Sequence, residues 1–251
     1  MYPSARGQAG KNHMANSFFH FKQFTVHQNN SVMKVCTDSC ILGAWTALRT
    51  DTAKRILDIG TGTGLLSLML AQGSEAKIYG IESDPCAAGQ ARENILQSPW
   101  ADRIDIMEAD VRNHRPEILY DFIICNPPFY SADLQSPDKR KNQAKHEESL
   151  TLEELMNVIS SCLSPDGRFS ILLPFQRKDY FLALAKRSGF FRKEDLILRQ
   201  TPMHSPFRYI SLFGFAEEPE SVSHELVIKE NSGKYSEQMH QLMIGYYSAS
   251  P

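Results

Sequence analysis

Four consecutive residues, Asn126-Pro127-Pro128-Phe129, carry groups that could hold a planar amino group. The Asn126 side-chain oxygen can accept a hydrogen bond. The Pro127 carbonyl can accept another, because proline lacks an N–H but keeps its C=O. The Phe129 ring can stack on a flat ligand. The apolar run before them, residues 120–125, predicts a buried parallel strand. An Asn-Pro-Pro turn can also simply end a strand, so the upstream residues decide its meaning.

A glycine-rich turn, Asp58-Ile59-Gly60-Thr61-Gly62-Thr63-Gly64, follows an earlier predicted strand. Three glycines in such a short stretch let the backbone turn sharply and approach a ligand closely. A turn of this kind is compatible with a dinucleotide site. Two details favour another ligand: the glycines follow a G-x-G-x-G spacing, and Asp58 stands inside the end of the strand.

Carboxylates follow the next two predicted strands. Glu82 ends the second strand, about 20 residues after the glycine turn, where a carboxylate can accept both hydroxyl hydrogens of a ribose. Asp110 follows the third strand and can accept a hydrogen bond from an adenine amino group, while the Val111 backbone can address a ring nitrogen. Each acid alone could also be a helix cap or a surface residue. Together they are expected at the carboxyl ends of the strands, where open α/β sheets bind ligands.

The elements that must position these residues alternate between strand and helix from residue 54 onwards. Apolar patterns predict strands over 55–59, 77–82, 104–109, 122–125, 168–173, 196–200 and 209–216. Helices are predicted over 37–49, 65–72, 85–96, 152–163, 176–188 and 234–247, the first of them capped by Thr37 or Asp38. Repeated β-α units with short loops predict an α/β fold, a doubly wound, mostly parallel seven-stranded sheet with helices on both faces.

The chain ends and the composition add broader expectations. Residues 1–16 are rich in Gly, Ser, Ala and Asn and are expected to be a disordered leader, and the aromatic cluster after them predicts a short hairpin or a cap on the core. The 251 residues are 42% hydrophobic and 22% charged, with five scattered cysteines, which fits an intracellular globular protein with reduced thiols and no metal site. No run is long enough to span a membrane. The net charge of −2 argues mildly against a generic nucleic-acid binder, but a basic patch over 138–146 follows the Asn-Pro-Pro-Phe turn.

The order of glycine turn, ribose acid and adenine acid resembles the class I S-adenosylmethionine-dependent methyltransferases, with a Rossmann-like fold, over about residues 35 to 216. The resemblance implies that S-adenosyl-L-methionine is the cofactor and that residues 17–251 form one methyltransferase domain with an N-terminal segment covering the cofactor. The implied cofactor-binding residues are Asp58, Gly60, Gly62, Gly64, Glu82, Asp110, Val111 and Asn126. The implied catalytic residues are Asn126, Pro127 and Phe129, because Asn-Pro-Pro-Phe is similar to the turn of methyltransferases that act on planar nitrogens.

The segment from Phe19 to Trp45 resembles the bacterial tRNA adenine-N6 methyltransferases that modify adenine 37 of a valine tRNA. The resemblance implies that Lys34, Thr37 and Asp38 lie over the methionine end of the cofactor, with Asp38 a candidate partner for its amino group. Thr37 and Asp38 could instead only cap the helix. The family commonly carries Arg at the position of Lys145, and Lys keeps the charge but loses the bidentate fork.

The leading hypothesis is therefore N6-methylation of an adenine in the anticodon stem-loop of a tRNA by a monomeric, cytoplasmic enzyme. The expected substrate-binding residues are Phe129, Tyr130, Lys139, Arg140, Lys141 and Lys145. Methylation of guanine N2 in ribosomal RNA is a rival, because those enzymes also carry a similar tetrapeptide. Methylation of a protein glutamine is a third reading, although its relatives more usually have Tyr at position 129. A catalytically silent RNA-binding module is disfavoured by the intact Glu82, Asp110 and Asn126.

Overall fold

The computed structural model describes residues 17–29, 34–128, 150–217 and 220–247. Their strands are β1 (Phe18–His20), β2 (Thr25–His27), β3 (Arg55–Ile59), β4 (Lys77–Glu82), β5 (Ile104–Glu108), β6 (Tyr120–Cys125), β7 (Leu163–Pro174), β8 (Phe191–Arg199), β9 (Arg208–Gly214) and β10 (Val222–Val227). The helices are α1 (Thr37–Ala47), α2 (Leu65–Gly73), α3 (Pro85–Leu96), α4 (Leu152–Cys162), α5 (Lys178–Arg187) and α6 (Glu237–Met243), and short 3₁₀ turns cover Val111–Asn113 and Phe175–Arg177.

Eight of these strands form one sheet in the order β10-β8-β9-β7-β6-β3-β4-β5. Strand β9 runs antiparallel to its neighbours β7 and β8, and the other pairs are parallel. The doubly wound, mostly parallel sheet is thus confirmed. The predicted count of seven strands is wrong, because β10 adds an eighth strand beside β8. Its residues are mostly exposed, so this edge strand lacks the apolar run that marks the buried strands.

Apolar side chains alternate between two cores on opposite faces of the sheet. Ile56 and Phe122 belong to one core, while Leu57 and Ile123, the next residues in the same strands, belong to the other. Helices α1, α2, α3 and α6 contribute to the first core, and α4 and α5 to the second. Helices on both faces are therefore confirmed. Strands buried on both sides explain why the sequence shows continuous apolar runs at these positions.

Side-chain caps fix where several helices begin. Asp84 accepts hydrogen bonds from the backbone N–H groups of Cys86 and Ala87, at 2.8 and 3.0 Å, and starts α3 directly after β4. Thr151 and Glu154 form a reciprocal capping box at α4. The Asp84 cap keeps the connection between β4 and α3 short.

The expected aromatic hairpin is present as β1 and β2, which pair antiparallel. Phe21 and Phe24, from the turn between them, stack with their ring centroids 4.5 Å apart and are buried in the first core. The predicted leader, residues 1–16, lies outside the described residues. Within the described part of the chain, no helix has the length and apolar character needed to cross a membrane.

Candidate active site

Parallel strands bring the candidate residues to one edge of the sheet. Strands β5, β4, β3 and β6 are neighbours in this order, so their carboxyl ends lie together. Ile59 and Cys125, the last residues of β3 and β6, are register partners. Because neighbouring strands lie about 4.8 Å apart, Gly60 and Asn126 leave the sheet side by side. The chain turns in opposite directions after β3 and β6, and ligands bind at such a switch point in open α/β sheets.

The glycine loop after β3 has its backbone in the left-handed region at each glycine. The φ angles are +70° at Gly60, +56° at Gly62 and +82° at Gly64, which residues with a Cβ rarely adopt. A Cβ added at Gly60 or Gly62 would meet no heavy atom of the described residues within 4 Å. At Gly64, a Cβ would touch Ala91 of α3 at 3.5 Å. The first two glycines therefore border an open space that a ligand can fill, and the third packs against a helix.

Asp58 holds this loop from inside the protein. It is fully buried, and its Oδ2 accepts hydrogen bonds from the Thr61 hydroxyl at 2.6 Å and the Ser67 hydroxyl at 2.7 Å. The Ser67 backbone N–H adds a third bond at 3.1 Å. Burial raises the pKa of the Asp58 carboxyl to about 6, although these three donors oppose the shift. Its Oδ1 is buried and has no hydrogen-bond partner among the described residues.

Glu82 has both carboxylate oxygens oriented by backbone N–H groups. Gly62 donates to Oε2 and Asp84 donates to Oε1, each at 2.9 Å. These bonds hold the carboxylate between the glycine loop and the start of α3. A carboxylate oxygen can accept more than one hydrogen bond, so both oxygens retain capacity for the hydroxyls of a ribose.

Asp110 already has a strong partner in this structure. The Arg112 guanidinium donates from Nε and Nη2 to Oδ2, at 2.9 and 2.7 Å, and the Arg112 backbone N–H donates to Oδ1. The side-chain hydrogen bonds from Arg112 lower the pKa of the Asp110 carboxyl. Asp110 also caps the 3₁₀ turn that begins at the buried Val111. The capping role that the sequence left open is thus observed, at the edge where the adenine contact is predicted.

Asn126 follows β6, and its amide is held by helix α1. The Asn126 Nδ2 donates to the Ser39 hydroxyl at 2.8 Å. Asn126 is half-buried, Pro127 is buried and Pro128 is exposed. The amide therefore lies at the end of β6 against the first turn of α1, and its oxygen is buried.

The predicted helix cap at Thr37 or Asp38 is wrong. The N-cap residue of α1 is Cys36, and the Cys36 side chain makes no capping hydrogen bond with the described residues. Asp38 lies inside the first turn, where its Oδ1 accepts from the Ser39 N–H at 3.1 Å and its Oδ2 accepts from Arg208 Nε at 2.7 Å. Lys34, which precedes this helix, is exposed, and Thr37, its first residue, is half-buried. Ser39 of this helix contacts Asn126, and the covering of a cofactor by this segment stays a prediction.

All the expected substrate-binding residues lie outside the described residues. They are Phe129, Tyr130, Lys139, Arg140, Lys141 and Lys145. Sequence reasoning missed the groups that support the site, namely Ser39, Thr61, Ser67, Arg112 and Arg208. Thr61 and Ser67 lie close to Asp58 in the sequence. Because a buried carboxylate needs hydrogen-bond donors, these two hydroxyls are the local signal that could have identified them. Arg208 is 170 residues from Asp38, and no local signal connects the two.

The chain is similar in sequence to a methyltransferase family and to named methyltransferases. The family described as "Methyltransferase small domain" matches residues 44–186. A Bacteroides fragilis protein named tRNA1(Val) (adenine(37)-N6)-methyltransferase is 38% identical over 93% of this chain and 99% of its own length. Proteins of the same name from Dyadobacter fermentans and Shewanella loihica are 44% and 38% identical, over 85% and 91% of this chain and 87% and 98% of their own.

Solved structures with the same fold are more distant in sequence. A predicted O-methyltransferase from Agrobacterium tumefaciens superimposes with a TM-score of 0.64 at 20% identity, over 84% of this chain and 98% of that one. A putative RNA methyltransferase from Pyrococcus horikoshii gives a TM-score of 0.52 at 16% identity, over 71% and 82%. At these identities the likeness concerns the fold alone.

Proposed function

The chain belongs to the methyltransferase small domain family and to the tRNA1(Val) (adenine(37)-N6)-methyltransferase family, and from this we propose that it methylates the N6 amino group of an adenine in tRNA with S-adenosylmethionine as donor. One observation carries the proposal: the Asn126-Pro127 turn leaves β6 beside the glycine loop that leaves β3. This neighbourhood supports the proposal that acceptors for a planar amine lie next to a cofactor cradle.

The residues of the cradle fit S-adenosylmethionine, which supplies an electrophilic methyl group on a sulfonium when bound. The open side of Gly60 and Gly62 lets the methionine portion approach the backbone. The oriented carboxylate of Glu82 is proposed to bind the ribose hydroxyls. Asp110 and Val111 would hold the adenine ring of the cofactor, with the Asp110 carboxylate shared between that ring and Arg112.

Asn126 and Pro127 are proposed to activate the methyl acceptor. The lone pair of an adenine amino group is delocalised into the ring, so the amine is a weak nucleophile. Hydrogen bonds from its two N–H groups to the Asn126 side-chain oxygen and the Pro127 carbonyl localise this lone pair and aim it at the donor. No strong base is required, because the proton can leave after the transfer.

We assign the finer substrate, adenine 37 in the anticodon loop of a valine tRNA, on the names of the relatives. A base in a single-stranded loop is already accessible, so the enzyme need not open a duplex. In this proposal Phe129 and Tyr130 stack on the base, while Lys139, Arg140, Lys141 and Lys145 contact the backbone of the loop. Lys34, Thr37 and Asp38 close the methionine end of the cofactor, in a monomeric cytoplasmic enzyme of one domain over residues 17–251.

Guanine N2 and glutamine N5 were the rival acceptors suggested by the tetrapeptide. The names of the relatives favour adenine over both. No feature of the described residues favours either rival.

The proposal is tested by incubating the protein with S-adenosylmethionine and unmodified tRNA, then digesting the RNA to nucleosides. N6-methyladenosine is the expected product, and it should be absent when adenine 37 of the valine tRNA transcript is replaced by guanine. With the unsubstituted tRNA, formation of N2-methylguanosine, or of no methylated nucleoside at all, would overturn the assignment.

A further inference from the structure

Ser39 lies behind the Asn126 amide, and its hydroxyl touches two side chains. It is 4% exposed and stands in the first turn of α1. Its Oγ lies 2.8 Å from Asn126 Nδ2 and 2.9 Å from Cys36 Sγ. A hydroxyl has one hydrogen to donate and lone pairs that accept. When the hydrogen points to the Cys36 sulfur, Ser39 can only accept from its other neighbour.

With its hydrogen directed to the Cys36 sulfur, the Ser39 hydroxyl distinguishes the two ends of the Asn126 amide. The NH2 and C=O groups of Asn are similar in size and differ in hydrogen-bonding character. An amide turned by 180° would present its NH2 group to the adenine amine, which also carries hydrogens, and the two donors would repel. A hydroxyl that accepts from Asn126 Nδ2 holds the amide in the opposite orientation. Burial raises the pKa of the Cys36 thiol to about 11, so this neighbour remains neutral near pH 7.

The first turn of α1 is anchored on two sides, which fixes the position of the Ser39 hydroxyl. Asp38 accepts from the Ser39 backbone N–H at 3.1 Å and forms an ion pair with Arg208 of β9 at 2.7 Å. The Asp38 side chain is only 11% exposed and that of Arg208 is 27% exposed. Partial burial strengthens such a pair relative to one on the surface. The turn therefore bridges β9 and the residue that follows β6.

We propose that Ser39 is a positioning residue for methyl transfer, with its hydroxyl holding the Asn126 side-chain oxygen towards the adenine amine. The proposal rests on the function proposed above. Ser39 acts through Asn126 and does not itself touch the substrate. The tie between Asp38 and Arg208 keeps the hydroxyl in place.

Steady-state kinetics test this role. Ser39→Ala should lower kcat about tenfold, the equivalent of one lost hydrogen bond, while the Kd for S-adenosylmethionine and the KM for tRNA stay within about twofold. Ser39→Thr restores a hydroxyl at the same place and should recover most of kcat. Ser170→Ala is the matched control, since the Ser170 hydroxyl is fully buried and bonds Thr46 of the same helix at 2.9 Å. This control should lower the melting temperature and leave kcat unchanged.

A second readout does not require activity. The Asn126 side-chain NH2 signals in a ¹⁵N–¹H spectrum, identified by their loss in Asn126→Ala, should shift and exchange their hydrogens at least tenfold faster in Ser39→Ala. They should be unchanged in Ser170→Ala.

Unaltered Asn126 signals in Ser39→Ala would overturn the positioning role, whether or not the wild type methylates tRNA. Wild-type kcat in Ser39→Ala would overturn it too, as would a Ser39→Thr variant as slow as Ser39→Ala. A wild type that shows the expected signals but makes no N6-methyladenosine would contradict the proposed function alone.

Discussion

At the scale of single residues, Asp58 shows how the glycine loop depends on a charge inside the protein. Its carboxylate is fully buried, and three hydrogen bonds from Thr61 and Ser67 partly replace the lost water. Burial still dominates and raises the pKa from 3.8 to about 6. The carboxyl is therefore ionised near pH 7, and its charged form is less stable in the folded chain than in the unfolded one.

This shift predicts a pH dependence of stability that Asp58→Asn should remove. An acid with a higher pKa in the folded chain binds more protons when folded between about pH 3.8 and 6. In this window its contribution to the free energy of unfolding falls as the pH rises, and above it the contribution is constant. The unfolding free energy of the wild type minus that of Asp58→Asn should thus fall by about 2 kcal/mol from pH 4 to pH 6. Urea titrations at both values measure it, and a constant difference would contradict the shift.

At the scale of elements, the loop between β3 and α2 combines an unusual backbone with an open side. Gly60 has a φ of +70° and no heavy atom of the described residues near the site of a Cβ. Gly189, beyond the end of α5, has a φ of +80° and is equally open. The two glycines share a left-handed backbone conformation and differ in location, so they form a matched pair of positions.

Gly60→Ala should therefore weaken cofactor binding where Gly189→Ala does not. Both variants place a Cβ in the left-handed region and should lose about 1 to 2 kcal/mol of stability. Only the Cβ at Gly60 projects into the proposed cofactor space, so its Kd for S-adenosylmethionine should rise at least fivefold. Isothermal titration calorimetry decides the matter, and equal affinities in the two variants would remove the loop from the proposed cofactor site.

The sequence predicts an element well where its signal is local. Strands β3 and β6 consist mainly of apolar residues buried on both faces, and such runs are visible in the sequence. The order of strands β3, β4 and β6 then predicts that Gly60, Glu82 and Asn126 lie at one edge. Strand β10 was missed because four of its six residues are exposed. Helix α1 begins at Thr37, so both predicted caps lie inside it, and Asp38 pairs with Arg208, which lies far along the chain. Contacts of this kind depend on tertiary packing, and no spacing in the sequence reports them.

At the scale of the whole molecule, the first hairpin and the last residues of the described chain contact each other next to helix α2. The Lys22 N–H, in the turn of the β1–β2 hairpin, donates to the Tyr246 carbonyl at 2.7 Å. The Tyr246 hydroxyl donates to the Met69 carbonyl of α2 at 3.1 Å, and its side chain is buried in the first core. Residues after α6 thereby fasten the hairpin to α2, which packs against α1.

Two substitutions of Tyr246 should separate the contribution of its buried ring to stability from that of its hydroxyl hydrogen bond. Tyr246→Phe keeps the ring and should cost about 1 kcal/mol of unfolding free energy. Tyr246→Ala removes the buried ring and should cost about 3 kcal/mol or more. Denaturant unfolding followed by tryptophan fluorescence measures both values. If Tyr246→Ala were as stable as Tyr246→Phe, this segment would contribute little to the core.

The central claim is that Asn126, at the end of β6, holds the amino group that receives the methyl. The most direct test measures kcat on unmodified valine tRNA and the Kd for S-adenosylmethionine in Asn126→Ala. We predict that kcat falls at least a hundredfold, because an interaction needed in the transition state is lost, while the Kd changes by less than about threefold. Retained turnover, or a loss of cofactor affinity as large as the loss of kcat, would contradict the claim.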